Sequence, residues 1–348
     1  METNLVAVVR VMRDVLSSVH EGISLIGGIR NAGAERAIIK PNLCHTSAPE
    51  TGRTTDVRVV KGVLEEISAQ EPREIHVVES DSLASSADRT FRKLGYEDLE
   101  KRPFVNLTNL SKETSTSKAV DGKFFKRIEV PEALSSYGLL ISVAKLKTHL
   151  FERLSGVYKN QYGLLPFRER RPYHPFLSEV LFDVNTLYKP DLCVIDGLVG
   201  MEGCGPIDGT PKSMNLLIFG RNALATDSVA CAVIGIDPFD VPYLKYAYEN
   251  GMGELNLERI RIVGESVENV RSQFEFVPDK AYSYMRNGLR LGRYPPPLKN
   301  LGILLFTWGN FKAGKTYSTR LDRQREDKAA PSPWKLFKNA VWTRSWNV

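Results

Sequence analysis

Short apolar runs alternate along the chain with segments whose apolar residues recur every three or four positions. Leu5 to Val9 predicts a strand and residues 12–27 a helix. Ala37 to Ile39 predicts a second strand, closed by Lys40-Pro41-Asn42. Residues 56–68 put Val57, Val60, Leu64 and Ile67 on one helical face behind Thr54 and Thr55, residue types that cap a helix start. Ile75 to Val78, Leu139 to Val143, Leu192 to Ile195, Met214 to Phe219 and Ile260 to Val263 read as further strands, with helices over 86–94, 223–234 and 241–250. A hairpin is predicted around Asp121-Gly122. Strands alternating with helices predict an α/β fold, with a mostly parallel sheet and helices on both faces. Several strand runs are apolar throughout, as strands covered on both faces are.

Composition narrows the class. At 42% hydrophobic and 25% charged residues the chain is globular, neither disordered nor collagen-like. No apolar run approaches the ~20 residues that a membrane-spanning helix needs. The first residues lack a basic stretch followed by an unbroken apolar one, which predicts no signal peptide and a cytoplasmic location. The four cysteines, Cys44, Cys193, Cys204 and Cys231, form no C-x-x-C pair, so neither a zinc ribbon nor a ferredoxin-type cluster motif can be built locally.

Charge divides the chain in two. Residues 284–348 hold 13 basic and 3 acidic residues, a net +10, which leaves residues 1–283 at −4 against the chain's +6. This predicts an α/β body over 1–283 and a basic C-terminal extension over 284–348 that meets something anionic. Near its end Trp334, Phe337 and Val341 fall on one helical face, beside Trp342 and among Lys335, Lys338 and Arg344. The pattern suits a helix lying peripherally on an anionic membrane surface, docked on the body, or at a homo-oligomer contact. Nucleic acid ranks last as a partner, because no nucleic-acid motif accompanies the charge. Gly309 to Thr316 also matches the P-loop pattern G-x-x-x-x-G-K-[ST]. The polar segment behind it and the short remainder of chain make a chance match the stronger reading, with a phosphate-binding loop as the alternative.

In open α/β sheets, ligands bind outside the carboxyl ends of the strands. Polar residues collect at those predicted ends: Lys40 and Asn42; Glu79 and Asp81; Lys145, Lys147, Thr148 and His149; and Asp196. A glycine-rich loop, Gly200 to Gly209, follows the last of these, and Lys159-Asn160 lies a short loop beyond His149. Taken singly, Asp81 or Asp196 reads as a solvated loop charge or a cap, and His149 as a hydrogen-bonded structural histidine. The density of Lys145-x-Lys147-Thr-His149 at the end of an apolar strand calls for a counter-charge. The constellation predicts a small anionic ligand bound by Lys145, Lys147 and Lys159. Lys147, His149 and Glu202 are the candidate catalytic groups: a desolvated lysine, or His149 or Glu202, moves the proton, and Asp196 orients a lysine or a metal. Cys44 and Cys204 flank these segments and are weak candidates for metal ligands or a reactive thiolate. Isolated cysteines are more often small buried apolar residues.

The stretches IIKPNLC (38–44), VAKLKTHLFERLSGVYKNQYGLLP (143–166), DGLVGMEGCGPIDGTPK (196–212) and LATDSVACAVIGIDP (224–238) resemble the motifs of the DUF362 family, in order over roughly residues 5–265. The resemblance implies an α/β domain. It carries over as site candidates Lys40, Asn42, Lys145, Lys147, Thr148, His149, Lys159, Asn160, Asp196, Glu202, Gly205 and Asp227. Many relatives also hold a ferredoxin-like module with two cysteine-rich motifs and are described as iron–sulfur proteins. This chain has no such module. Three functions therefore stand open: an enzyme or enzyme-like subunit for a small anion, an iron–sulfur or metal-binding redox protein, and a scaffold that uses its basic end on a membrane or nucleic acid.

Overall fold

The β-branched, all-apolar runs form the centre of one sheet. A computed structural model describes residues 4–12, 14–30, 34–294 and 297–324. Its strands are β1 (Leu5–Arg10), β2 (Arg36–Pro41), β3 (Glu74–Glu79), β4 (Val105–Asn109), β5 (Ser115–Ala119), β6 (Arg127–Pro131), β7 (Leu139–His149), β8 (Arg153–Ser155), β9 (Leu192–Glu202), β10 (Thr210–Gly220) and β11 (Arg261–Gly264). Between them run the helices α1 (Val15–Leu25), α2 (Val57–Ser68), α3 (Ala87–Lys93), α4 (Val157–Asn160), α5 (Leu177–Leu187), α6 (Ala223–Ile234), α7 (Pro242–Glu249) and α8 (Val267–Val270). The main sheet has the order β11-β1-β10-β9-β7-β2-β3-β4, with β8 paired to the end of β7.

The sheet is mostly parallel. Only β10 runs against its neighbours on the main path, β1 and β9. The β9–β10 connection, residues 203–209, accounts for this, because parallel neighbours need a crossover of about a dozen residues or more. Alternate residues of β1 serve two layers. Ala7 and Val9 join Val19, Ile23, Val59, Val63 and Phe91 in a core beneath α1, α2 and α3. Val6 and Val8, also fully buried, turn to the opposite face, where α6 packs. Helices thus cover both faces. Each Val or Ile so buried contributes about 1.5–3 kcal/mol. The hairpin expected around Asp121-Gly122 is β5–β6.

Several boundaries differ from the pattern. β7 does not stop at Val143 but runs to His149, with all eleven residues buried. Likewise β9 runs through Asp196 to Glu202, so the glycine-rich segment begins inside a strand and turns only beyond it. An apolar run ends at its first charge, but a strand need not, provided that neighbouring strands hold the charge's partner. The cap of α2 is Asp56, whose carboxylate accepts the Arg58 N–H at 2.9 Å, rather than Thr54 or Thr55.

The chain divides into two compact units. One holds the described residues up to Arg168 with Ser178–Phe274; the other joins Glu169–Leu177 to the described residues from Glu275 onward. In the second, α9 (Asp279–Leu291) packs on α10 (Leu298–Gln324). Glycines permit the close crossing. A side chain at Gly302 would stand 2.6 Å from the Gly288 carbonyl oxygen, and one at Gly309 would stand 2.6 Å from Met285. Residues 309–316 lie inside α10. A helix spends its backbone N–H groups on carbonyls one turn back, so this segment is not a phosphate-binding loop. The aromatic and basic stretch at 331–348 lies outside the described residues.

Candidate functional site

The polar ends of β2, β3, β7 and β9 meet in one hydrogen-bonded network, tied together by residues 53–56 just ahead of α2. Lys145 on β7 and Asp196 on β9 are register partners, and both are 0% exposed. Their ammonium and carboxylate lie 2.8 Å apart. The same Asp196 Oδ2 accepts the Asp56 N–H at 2.7 Å, and Oδ1 accepts the Leu198 N–H at 2.9 Å. At the edge of the cluster Lys40 Nζ lies 2.8 Å from Glu79 Oε2. Glu79 also accepts from the Leu43 and Ser80 N–H groups. Gly163 closes over this second pair, where a side chain would stand 2.7 Å from both Glu79 Oε1 and Lys40 Cε. Buried lysine–carboxylate pairs of this kind hold their geometry only while each charge keeps its partner.

Lys147 differs. It is buried, and its Nζ donates to Asn42 Oδ1 at 2.8 Å, to the Arg53 carbonyl at 2.7 Å and to Cys44 Sγ at 3.3 Å. Those contacts occupy all three of its donors. Among the described residues no carboxylate lies within 4.0 Å of it. Burial pulls its pKa down, and the cysteine sulfur opposes this. Asn42 links Lys147 to the remainder. Its Nδ2 donates to Asn160 Oδ1 at 3.1 Å, and Asn160 Nδ2 donates in turn to the Lys40 carbonyl and Ser142 Oγ. Thr55 bridges from the other side, its hydroxyl accepting the Asn42 N–H and donating to the Val143 carbonyl.

Over Lys147 lies the segment that follows β2. Asn42, Cys44, His45, Ser47 and Arg53 are all half-buried. Arg53 Nη1 donates to Ser47 Oγ at 2.8 Å and its Nε to the Ile207 carbonyl at 2.6 Å. Burial, and then Arg53, holds the His45 pKa below the usual imidazole range.

The network thus gathers Lys40, Asn42, Lys145, Lys147, Asn160 and Asp196, with Cys44 beside them. The other candidates stand in different settings. Thr148 Oγ1 donates to the Gly203 carbonyl at 2.9 Å and shapes the β9–β10 turn. Gly205 lies against the Thr148 carbonyl oxygen, where any side chain would collide. His149 packs edge-to-face on Phe151 with ring centroids 4.4 Å apart. Glu202 pairs with Lys212 across the β9–β10 hairpin at 2.9 Å. Lys159 Nζ lies 5.8 Å from the Tyr162 ring centroid. Asp227 accepts the Val157 and Tyr158 N–H groups at the start of α4. Sequence reasoning missed Arg53, Thr55, Ser142 and His45. For His45 and Arg53 a signal existed, since the polar segment 45–53 directly follows the carboxyl end of a buried strand.

The cysteines stand in separate elements of the fold. All four are free; Cys193 and Cys231 are fully buried in β9 and α6, and Cys204 is buried. Among the described residues no three His, Cys, Asp or Glu side chains are grouped to hold a metal ion. Burial pushes the Cys204 thiol up to about 12 and the Cys193 and Cys231 thiols above the usual range. Native protein treated with iodoacetamide is therefore expected to be alkylated at Cys44 first, as read by peptide mass spectrometry, with the others reacting only on unfolding. Equal labelling of Cys193 and Cys44 would contradict this arrangement.

Three comparisons place the chain among known proteins. The structure of the lactate racemase apoprotein from Thermoanaerobacterium thermosaccharolyticum superposes with a TM-score of 0.40 at 10% identity, over 61% of this chain and 55% of that one. The thylakoid-associated protein sll1697 of Synechocystis sp. is 24% identical over 237 residues, 66% of this chain and 72% of that protein. The family model described as Domain of unknown function (DUF362) matches residues 38–232, more than half of the chain, which therefore belongs to the DUF362 family.

Proposed function

We propose that the chain is an enzyme or enzyme-like subunit that binds a small anion over Lys147. One observation carries the reading: this ammonium is buried against two neutral oxygens and a thiol, with no carboxylate beside it among the described residues. The cost of burying this charge is only partly offset by Cys44 and Glu79, so an arriving anion is worth more here than at the two lysines already paired. Arg53, Ser47 and neutral His45, half-buried above, would contact it, and Asn42 would orient the ammonium. Burial lowers the Lys147 pKa, the direction that favours a role in proton transfer.

The test is thermal shift and titration calorimetry with phosphate, sulfate, acetate and malonate, on wild type and Lys147→Met. At least one anion is expected to stabilise the wild type; a ligand at a hundred times its Kd adds about 2.7 kcal/mol. Lys147→Met is expected to bind that anion at least tenfold more weakly while keeping its circular dichroism spectrum. The same anion should slow alkylation of Cys44. Equal affinity in the variant, or no response of the wild type to any of the four, would refute the site.

A second reading concerns where the chain works. The Synechocystis relative is named for the thylakoid, and residues 284–348 of this chain carry a net +10. Among the described residues no helix is long and apolar enough to cross a membrane. On these grounds we propose peripheral association with an anionic membrane surface.

A further inference from the structure

The second unit presents a row of apolar side chains that stay partly open to solvent. On α10, Gly302, Phe306 and Gly309 are buried, with Gly302 and Gly309 close against α9. Another side of the same helix carries Leu301, Leu304 and Trp308, which are 47%, 68% and 48% exposed. Their spacing of three and then four places them in one row along the helix. Leu298, 44% exposed, begins the row, and Lys312 ends it with its Nζ 4.9 Å from the Trp308 ring centroid. Single exposed leucines are ordinary, but a row of them with a tryptophan marks an interaction surface.

Charge decides what meets it. Residues 280–321 contain eight Lys and Arg and no Asp or Glu. Arg290 and Lys312 are exposed. A partner must therefore be apolar where it meets the row and anionic around it. A bilayer of anionic lipid has both properties, and its interface favours tryptophan and long basic side chains whose stems lie along apolar surface. Basic residues near such a surface contribute about 1 kcal/mol each.

We infer that Leu301, Leu304 and Trp308 form the face by which the chain lies on an anionic lipid surface, with Lys312 and Arg290 at the headgroups. This rests on the proposed membrane association and names its surface. The test uses the full chain with phosphatidylcholine vesicles, with and without phosphatidylglycerol, in sedimentation across a salt series. Wild type is expected to bind only the vesicles that contain phosphatidylglycerol and to release as salt rises. Leu304→Gln/Trp308→Gln, which changes exposed side chains, is expected to bind at least tenfold more weakly with unaltered circular dichroism. Leu301→Gln provides a second, milder probe, expected to weaken binding in the same direction. Undiminished binding by the double variant and by Leu301→Gln would overturn this surface while leaving membrane association standing. Failure of the wild type to bind would remove both. A loss of self-association in the variant without a change in vesicle binding would assign the row to a contact between copies, and wild type that binds RNA but not vesicles would assign the basic surface to nucleic acid; each overturns the inference.

Discussion

Asp196→Ala is expected to destabilise the first unit by about 3–5 kcal/mol, the usual consequence of stripping one member from a buried ion pair. The carboxylate does three things at once. It neutralises Lys145, which is 0% exposed and finds no other acceptor among the described residues. It also accepts the N–H of Asp56, at the entry to α2, and of Leu198 within β9. Removal leaves one buried ammonium and two buried N–H groups without acceptors. Urea unfolding of the single variants and of Lys145→Met/Asp196→Leu would separate these contributions. The double variant is expected to be less destabilised than the sum of the singles, because it removes the orphaned charge, yet still below wild type, because the two N–H groups remain unmet. A cost under about 1 kcal/mol for Asp196→Ala would mean that water reaches the Lys145 ammonium in the variant.

The fold was legible where burial leaves a regular trace. The all-apolar runs at 37–39 and 192–195 are strands buried throughout, and the order of the strands in the chain was enough to predict a mostly parallel sheet. Helix α5 was missed although Leu177, Val180, Leu181 and Val184 are buried at spacings of three, one and three. The prolines and arginines just ahead of it obscure its start. Within the candidate site, Lys40, Asn42, Lys145, Lys147 and Asp196 were legible because each stands at or near the polar end of an apolar run. The segment that joins them was not. Arg53 contributes to Lys147 through its carbonyl, and Asp56 to Asp196 through its N–H, and backbone groups carry no residue signature. Nor could the strand pattern separate Lys147 from Lys145, two positions away on the same strand. What separates them is whether a carboxylate from β9 reaches across.

That difference assigns the lysines different work. Lys145 and Lys40 each sit in a closed pair, one under α2 and one under Gly163, and brace adjoining strands. Lys147 instead lies under a segment of half-buried polar groups. Variation in that segment would change what meets its ammonium without disturbing the sheet below. Asn42 and Asn160 join the two regions through amide hydrogen bonds.

Asp227→Asn is expected to remove much of a fall in stability that the wild type shows as pH rises from about 4 to about 7. Asp227 is fully buried on α6, its Oδ1 accepting the Val157 N–H at 2.6 Å and its Oδ2 the Tyr158 N–H at 2.9 Å. Gly156 lies so close that a side chain there would collide with the carboxylate. Burial pushes the pKa up to about 7 from an ordinary 3.8, and the two N–H groups hold it back from rising further. The unfolded chain therefore loses this proton near pH 4 while the folded chain keeps it until about 7. Between those limits the unfolded state binds fewer protons, so rising pH favours unfolding, and above about 7 the effect levels off. A tenfold difference in proton affinity between the two states is worth about 1.4 kcal/mol, which makes the whole fall a few kcal/mol. Asparagine cannot ionise. It retains one acceptor for the two N–H groups, a cost of about 1–3 kcal/mol that does not depend on pH. Urea unfolding at pH 5, 6, 7 and 8 should therefore find the variant less stable than wild type at pH 5, with the gap narrowing or reversing by pH 8. Parallel curves would mean that Asp227 is ionised throughout and that the cap on α4 outweighs its burial.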